Sequence, residues 1–440
     1  MRRGRTKRYL SGIDWMIGAL NDVTRRTTGT GNVSQVVLQL DGAIDPDSFE
    51  SALRAFLSGY PVISGRCRRG WNLAPYWEIP KRATLDGLAV RCIDLPIDAA
   101  PDEERAVLER EANRAFARKR QYLSFAIARR GTQSSVAMLF DHRLLEARGA
   151  ELFLDRLNAF AHGQPTDDPG VRDVSAHLDH WREKFEAGQR VNRLFLRLRA
   201  EGPIRALDLP RTGGAQSTRY AFRSYAPEAS ARIEQAAERS TGYLMLSNYL
   251  LGAAVWALHD VFARHKPVGD HYVVPVNVDH WSGRGRDREL FFNHMSFLYF
   301  RFAASIAGNC RALWGAANDQ LYEFTKRRVA DEIAQASLLM RIVPHRVLGR
   351  LIRLPLNGSL GSFSFSYLGT EAYSGTEFMG HPVANLYHMP RVPTPPGLGV
   401  FFTRYRGRLN VVLSFLDGML GPGEAEEVLR RLDEILPAGS

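Results

Sequence analysis

The segment FDHRLLEARGAELFL, Phe140 to Leu154, decides how the chain is read. The apolar run before it, Ser134 to Phe140, predicts a β-strand that runs straight into Asp141 and His142, and the apolar period after it predicts a helix. A histidine at a strand end, with the carboxylate of Glu146 four residues on and Gly149 nearby, has the composition of a catalytic turn. It is equally the composition of an ordinary loop in which the imidazole satisfies a backbone carbonyl, or in which Glu146 is simply a first-turn acid favourable to the helix dipole.

Working outward, Ser34 to Leu40 is short and β-rich, which predicts a strand. Asp45 and Pro46 then suit the cap and first position of a helix whose Phe49, Ala52, Leu53, Phe56 and Leu57 share one face, with Pro61 soon after its end. PVISGRCRR and LAVRCIDL predict further strands, Ala99 to Arg118 a helix, and YLSFAIARRGTQSSVAMLF a hairpin turning at Gly131. HGQPTDDPG, His162 to Gly170, marks a linker, followed by a charged helix from Asp173 to about Arg199 and an irregular GPIRALDLPRTGGAQST. A second strand–helix series begins at TRYAFRSYA. It contains a helix from Pro227, a buried helix in LMLSNYLLGAAVWAL (Leu244 to Leu258), the strands YVVPVNV and NHMSFLYFRFA, and helices up to about Gly349. The strand GSFSFSYLG, a hairpin and a final helix from Gly423 to Leu436 close it. The expected class is α+β, with residues 1–170 as a first lobe, 171–215 as a linker and 216–440 as a second lobe.

The chain has 440 residues, 45% hydrophobic and 24% charged, enough for more than one packed core. Its formal net charge of +11 is spread as single arginines and short pairs apart from the basic start, MRRGRTKR. That excess suits an anionic partner: coenzyme A phosphates, an acidic carrier protein, nucleic acid or a membrane surface. With no zinc-ligand pattern and no aromatic-basic signature, nucleic acid is not expected. Cys67, Cys92 and Cys310 are odd in number and far apart, which fits a reducing, cytoplasmic setting. YLSGIDWMIGALND is broken by Asp14 and is no signal-peptide core, and Leu244 to Leu258 is too short to cross a bilayer.

No GxSxG elbow, P-loop, GxGxxG or HExxH occurs. TGTGNVS, Thr28 to Ser34, has glycines without dinucleotide-binding spacing. His177 and His180 could share a helix face, but without further ligands no metal site is expected. His280 beside Trp281 reads as part of a basic loop that could line a cleft mouth.

LQLDGAIDPDSFESALRAFLSGYPVISGRCRR, Leu38 to Arg69, resembles the opening of the condensation-type acyltransferases, the superfamily of chloramphenicol acetyltransferase and nonribosomal peptide synthetase condensation domains. Asp141 to Ala147 aligns with that family's signature, a histidine, three residues, an aspartate and a glycine, often with a second histidine in front. Leu244 to Leu258 is similar to the long helix of the family's second half, VPVNVD (Val274 to Asp279) to a proline-led strand that ends in arginine, and FSFSYLG with the terminal hairpin and helix to its ending. The order and spacing of these pieces span nearly the whole chain.

The resemblance implies two mixed-sheet lobes forming a central tunnel, with His142 as a general base in acyl transfer from a thioester to a hydroxyl or amine. A neutral imidazole suits the task, since its ordinary pKa of about 6.5 lies near working pH. The donor would be acyl-CoA or a phosphopantetheine-linked acyl group. No cofactor is expected to be bound permanently. Partners would be a small-molecule acceptor and an acidic acyl carrier protein, with the chain a monomer. Glu146 replaces the family's aspartate and, by the resemblance, supports the active-site loop together with Gly149. Asp279 stands where the family has the arginine that pairs with that acid, so two carboxylates would face each other unless Arg143, Arg148, Arg284 or Arg286 intervened. Ala147 replaces the glycine, which would strain a backbone that glycine favours by about 1 kcal/mol. Ser364, Ser366, Tyr367 and Asn293 are candidates for the oxyanion donor or the tunnel wall, although alternating serines also suit the solvent face of a strand. A relative that binds an acyl carrier or metabolite without turnover, or that catalyses cyclisation or hydrolysis, is the rival reading.

Overall fold

A computed structural model describes residues 6–116, 120–165, 180–210, 213–279, 289–369 and 371–439. The chain starts with β1 (Thr6–Tyr9), α1 (Gly12–Thr28), β2 (Val33–Leu40) and α2 (Pro46–Ser58). Next come β3 (Arg66–Arg69), β4 (Pro75–Ile79), β5 (Val90–Leu95), α3 (Pro101–Ala112), β6 (Leu123–Arg130), β7 (Gln133–Asp141) and α4 (Ala147–Ala161). The long α5 (Trp181–Ala200) leads to β8 (Thr218–Tyr225), α6 (Pro227–Thr241), α7 (Leu246–Arg264), β9 (His271–Asp279) and β10 (Met295–Ala303). Three helices, α8 (Cys310–Lys326), α9 (Val329–Met340) and α10 (His345–Leu351), precede β11 (Ser364–Leu368), β12 (Glu377–Phe378) and β13 (His381–Pro390). The hairpin β14 (Leu398–Tyr405) and β15 (Arg408–Leu416) and the helix α11 (Glu424–Ala438) complete it.

The local chemistry follows the sequence closely where capping and periodicity are strong. Asp45 accepts a hydrogen bond from the Ser48 amide at 2.9 Å, and Pro46 opens α2. Gly131 turns the β6–β7 hairpin with a φ of 57°, a left-handed value that glycine takes without cost. The apolar run expected as a buried helix is α7, whose Tyr249 to Val255 are all essentially excluded from solvent. No described helix is long and apolar enough to cross a membrane.

Three stretches differ from expectation: of PVISGRCRR, expected as a strand, Pro61–Ser64 forms a 3-10 helix and only Arg66–Arg69 is extended. The helix expected from Ala99 to Arg118 stops at Ala112, with Asn113 as its C-cap: the Asn113 amide still donates to the Glu109 carbonyl, while its Nδ2 donates to the Thr218 carbonyl at 2.8 Å and its Oδ1 accepts from the Thr218 amide at 2.7 Å. The basic start is partly a strand: β1 pairs antiparallel with β4, Arg8 opposite Trp77. His177, His280, Trp281, Arg284 and Arg286 lie outside the described residues.

Among the described residues, the two large sheets have the orders β12-β13-β2-β7-β6-β5 and β10-β9-β11-β14-β15-β8. α2 and α4 bury one face of the first sheet around Phe49, Phe56, Phe125 and Phe153, while α6, α7, α8 and α11 cover the second. β12 and β13 lie within residues 216–440, yet β13 pairs antiparallel with β2, His388 opposite Val36. The two sheets therefore do not divide the chain at one point in the sequence. The mixed α+β architecture has two lobes, and the strands β12 and β13 that the second half gives to the first sheet tie them together.

Candidate active site

β7 delivers the His142 turn. Ser34 to Leu40 and Phe140 to Ser134 pair across β2 and β7, so the end of β7 is fixed in the middle of the first sheet. There the Asp141 carbonyl accepts from the Leu144 and Leu145 amides at 2.9 and 3.2 Å, closing a tight turn. The Asp141 carboxylate is fully buried and holds Arg143 by a two-pronged pair, Nε to Oδ1 at 2.9 Å and Nη2 to Oδ2 at 2.6 Å. Burial works against the Arg143 charge, but Asp141 outweighs it and raises the arginine pKa. Asp141 thus stiffens the turn.

The backbone of His142 is clamped on both sides. Its amide donates to the Asn32 carbonyl at 3.1 Å, and its carbonyl accepts from Asn293 Nδ2 at 3.0 Å. The ring is half-buried. Nε2 lies 2.9 Å from Ser34 Oγ, and Phe140 meets the ring edge-on at 5.5 Å between centroids. Nδ1 is buried with no partner at hydrogen-bond geometry. Desolvation lowers the His142 pKa to about 4, against the raising influence of Asp141 and the Leu145 backbone. The ring is neutral at pH 7.

A cavity of about 450 Å³ opens on this imidazole, a size that suits a small-molecule site. Its wall draws Ile13, Met16, Ile17 and Leu20 from α1, Val191 and Phe195 from α5, Phe297 and Tyr299 from β10, and Ile352 and Leu360 from the α10 region. Asn32, Ser364, Pro390 and Arg391 complete the wall near β2, β11 and β13. The cavity lies between the two large sheets and is mostly aliphatic.

Of the oxyanion and tunnel candidates, Ser364 lines the cavity, whereas Ser366 and Tyr367 are not on its wall. Tyr367 packs against the second-lobe core, and burial raises its pKa. Asn293 is committed elsewhere: its amide and Nδ2 both donate to Asp14 Oδ1, at 3.0 and 3.2 Å, besides the bond to the His142 carbonyl. It holds the turn from behind. Glu146 caps nothing with its side chain; it is buried and its Oε2 accepts from the His294 amide at 3.0 Å, tying α4 to the segment before β10. His180 is exposed at the start of α5, 3.7 Å from Glu183.

The expected clash of carboxylates at Asp279 does not arise, because Arg148 Nε meets Asp279 Oδ2 at 3.2 Å. An acid–base pair thus joins the first turn of α4 to the end of β9. Ala147 is the first residue of α4, and its φ is not among the positive values, so the expected strain is absent. Gly149 is helical as well. Its role is close approach: a Cβ there would stand 2.6 Å from the Leu290 carbonyl oxygen. Gly149→Ala is expected to displace residues 290–294 and with them Asn293, costing about 1–3 kcal/mol as overpacking does. A thermal melt with no loss relative to the wild type would show that the segment yields freely.

Ser34 and Asn32 escaped the sequence reading. Both come from TGTGNVS, whose glycine spacing says nothing about them. The available signal was parity: Ser34 shares its strand face with Val36, Leu38 and Leu40, which are buried in the first-lobe core.

No family model matches this chain, and no curated protein sequence matches it. Solved structures do. The first condensation domain of the calcium-dependent antibiotic synthetase, in complex with a substrate analogue, matches with a TM-score of 0.70 at 16% identity, covering 99% of this chain and 98% of that one. A mutant of the starter condensation domain of rhizomide synthetase, in complex with C8-CoA, gives 0.67 at 15% identity over 99% of this chain and 95% of its own. The cyclization-docking bidomain of the EpoB nonribosomal peptide synthetase from Sorangium cellulosum gives 0.66 at 16% identity, covering 98% and 84%. With two mixed lobes about a central cavity and a match over nearly its full length, the chain has the condensation-domain fold, of the chloramphenicol acetyltransferase-like type.

Proposed function

We propose that this protein is a stand-alone acyltransferase that moves an acyl group from a thioester to a hydroxyl or amine. The observation that carries this reading is a neutral imidazole, His142, clamped by its own backbone and facing an aliphatic cavity between the lobes. In this reading the acceptor's O–H or N–H displaces the Ser34 hydroxyl from Nε2 and is deprotonated there as its oxygen or nitrogen attacks the thioester carbonyl. The tetrahedral intermediate collapses with cleavage of the C–S bond, and the proton held on Nε2 passes to the departing thiolate. Ser364, on the cavity wall, is the candidate donor to the oxyanion. The Asp141–Arg143 fork and the Arg148–Asp279 pair supply the rigidity that the altered signature would otherwise lack, which favours turnover over a binding-only relative.

The aliphatic wall suits a fatty acyl chain, and coenzyme A and a carrier protein would present it on the same pantetheine arm. Such a reaction belongs to lipid or specialised-metabolite biosynthesis. We place it in the cytoplasm, where three unpaired cysteines remain reduced, and expect a monomer.

The test is a panel of acyl-CoA thioesters of graded chain length, each with hydroxyl and amine acceptors, read by thiol release and product mass. Consumption of long-chain donors with acyl transfer supports the reading; hydrolysis alone, or cyclised product, replaces it. The pH profile gives a second check. A base must be neutral to act, so kcat/KM is expected to stay level through neutral pH and to fall on acidification with a midpoint near the His142 pKa of about 4. A midpoint at the ordinary imidazole value of about 6.5 would mean that the working base is not this desolvated ring.

A further inference from the structure

The segment RIVPHRVLGRLIRLPL, Arg341 to Leu356, looks two ways. Its Val343, Leu348, Leu351, Ile352 and Pro355 line the cavity. Its outer side exposes Ile342, Val347, Leu351 and Leu354, the last at 56%. Leu351 belongs to both sets and marks a mouth. Among these aliphatics stand Arg346 and Arg350, exposed, and Arg353, half-buried. The last turn of α1 packs beside α10 and adds the exposed Arg25 and Arg26. None of these five arginines has an acidic partner among the described residues, and from Ile333 to Thr370 the chain carries no acidic residue at all. Burial, Arg26 and Arg350 together lower the Arg353 pKa, as expected where cations crowd without counter-charge.

A second element extends the same face. The β3–β4 turn is fastened to this segment by Arg69, whose Nη2 donates to the Arg341 and Ile342 carbonyls at 3.2 and 2.5 Å. At its tip Trp71 is 96% exposed and Leu73 half exposed. The tip is not slack: Gly70 and Ala74 close it with a 2.9 Å backbone bond. An indole held in water on a fixed turn, beside a row of half-exposed aliphatics, is an unfavourable surface for a chain that meets only solvent.

We infer that this face is a membrane-docking surface, seating Trp71, Leu73, Ile342, Val347, Leu351 and Leu354 in the headgroup–acyl boundary of an anionic bilayer, with Arg25, Arg26, Arg346, Arg350 and Arg353 over its phosphates. Charge complementarity commits the partner: unpaired arginines around apolar side chains are what an anionic lipid surface attracts, and tryptophan favours the interface itself. The mouth of the aliphatic cavity would then open onto the bilayer, a source of lipid-like substrate or a sink for lipid-like product. The binding does not depend on acyl transfer, and its test reads no turnover.

The wild-type protein is expected to sediment with vesicles of phosphatidylcholine and phosphatidylglycerol, and not with phosphatidylcholine alone, and to release as salt is added. Arg350→Gln with Arg353→Gln is expected to weaken vesicle partition about 25-fold, at about five-fold for each basic residue near an anionic surface. Brominated lipids are expected to quench tryptophan emission in the wild type and to leave Trp71→Phe unquenched while that variant melts as the wild type does, which separates the result from misfolding. Failure to bind anionic vesicles at low salt, or equal quenching in Trp71→Phe, overturns the proposal. So does binding to a purified acidic acyl carrier protein that is lost in the arginine variant while vesicles are ignored, since the face would then dock a protein.

Discussion

His142→Ala is expected to lower thioester consumption about 10²–10⁴-fold, the contribution of a positioned general base, while leaving the melting temperature nearly unchanged. The reason for the second half is structural. The turn is held by main-chain bonds, from the His142 amide to Asn32 and from Asn293 to the His142 carbonyl, and by the Asp141–Arg143 fork. Alanine keeps all of these. What it removes is Nε2, the atom proposed to receive the acceptor's proton. Ser34 cannot stand in, because a hydroxyl at 2.9 Å from the ring has no basicity of its own once the ring is gone. Thiol release at equal rates in both proteins would take His142 out of the reaction.

Asp14→Ala is expected to be the most damaging single change to stability. Asp14 is buried in the first turn of α1, where it accepts from the Ser11, Asn293 and Arg8 donors at 2.9, 3.0 and 2.6 Å. Desolvation opposes its charge, yet Arg8 and these hydrogen bonds lower its pKa below the usual carboxylate range. Removing it leaves a buried guanidinium short of its closer counter-ion, with Glu289 at 3.5 Å as the other. Breaking one side of a buried pair costs about 3–5 kcal/mol. Asn293 loses its anchor at the same stroke, so turnover should fall with stability. Asp14→Asn, which keeps one carbonyl oxygen for Asn293 but sets an NH2 where Oδ2 meets Arg8 and the Ser11 amide, is expected to lie between. A melt of Asp14→Ala superimposable on the wild type would show that this cluster is idle.

Much of the architecture could be read from local chemistry. The capped helix α2, the apolar α7, the β6–β7 turn at Gly131 and the final hairpin each carry their own signal, in a cap, a period or a glycine. What stayed hidden depends on distance along the chain. β13, HPVANLYHMP, has two prolines and the polar Asn385 and His388, and nothing in it says that its partner is β2. β1 is four residues long and reads as a charged tail, because its strand character comes from pairing with β4. The ion pair of Arg148 with Asp279 joins residues from different halves, and only spatial proximity turns a worrying acid into one member of a pair. His142 itself was legible by its place at the end of β7. Its companion Ser34 was not, since one serine in a strand has no meaning until β2 lies beside β7.

The pairing of β13 with β2 also bears on how the protein is made. The sheet that presents His142 cannot be completed until residues near 390 have left the ribosome, although its central strands emerge much earlier. During that interval β2 offers an open edge, the kind of surface that invites wrong partners. Of separately expressed halves cut at the linker, the first would lack β12 and β13, which the second holds, while the second sheet keeps all its strands, so activity should return only when the two fragments are synthesised in the same cell.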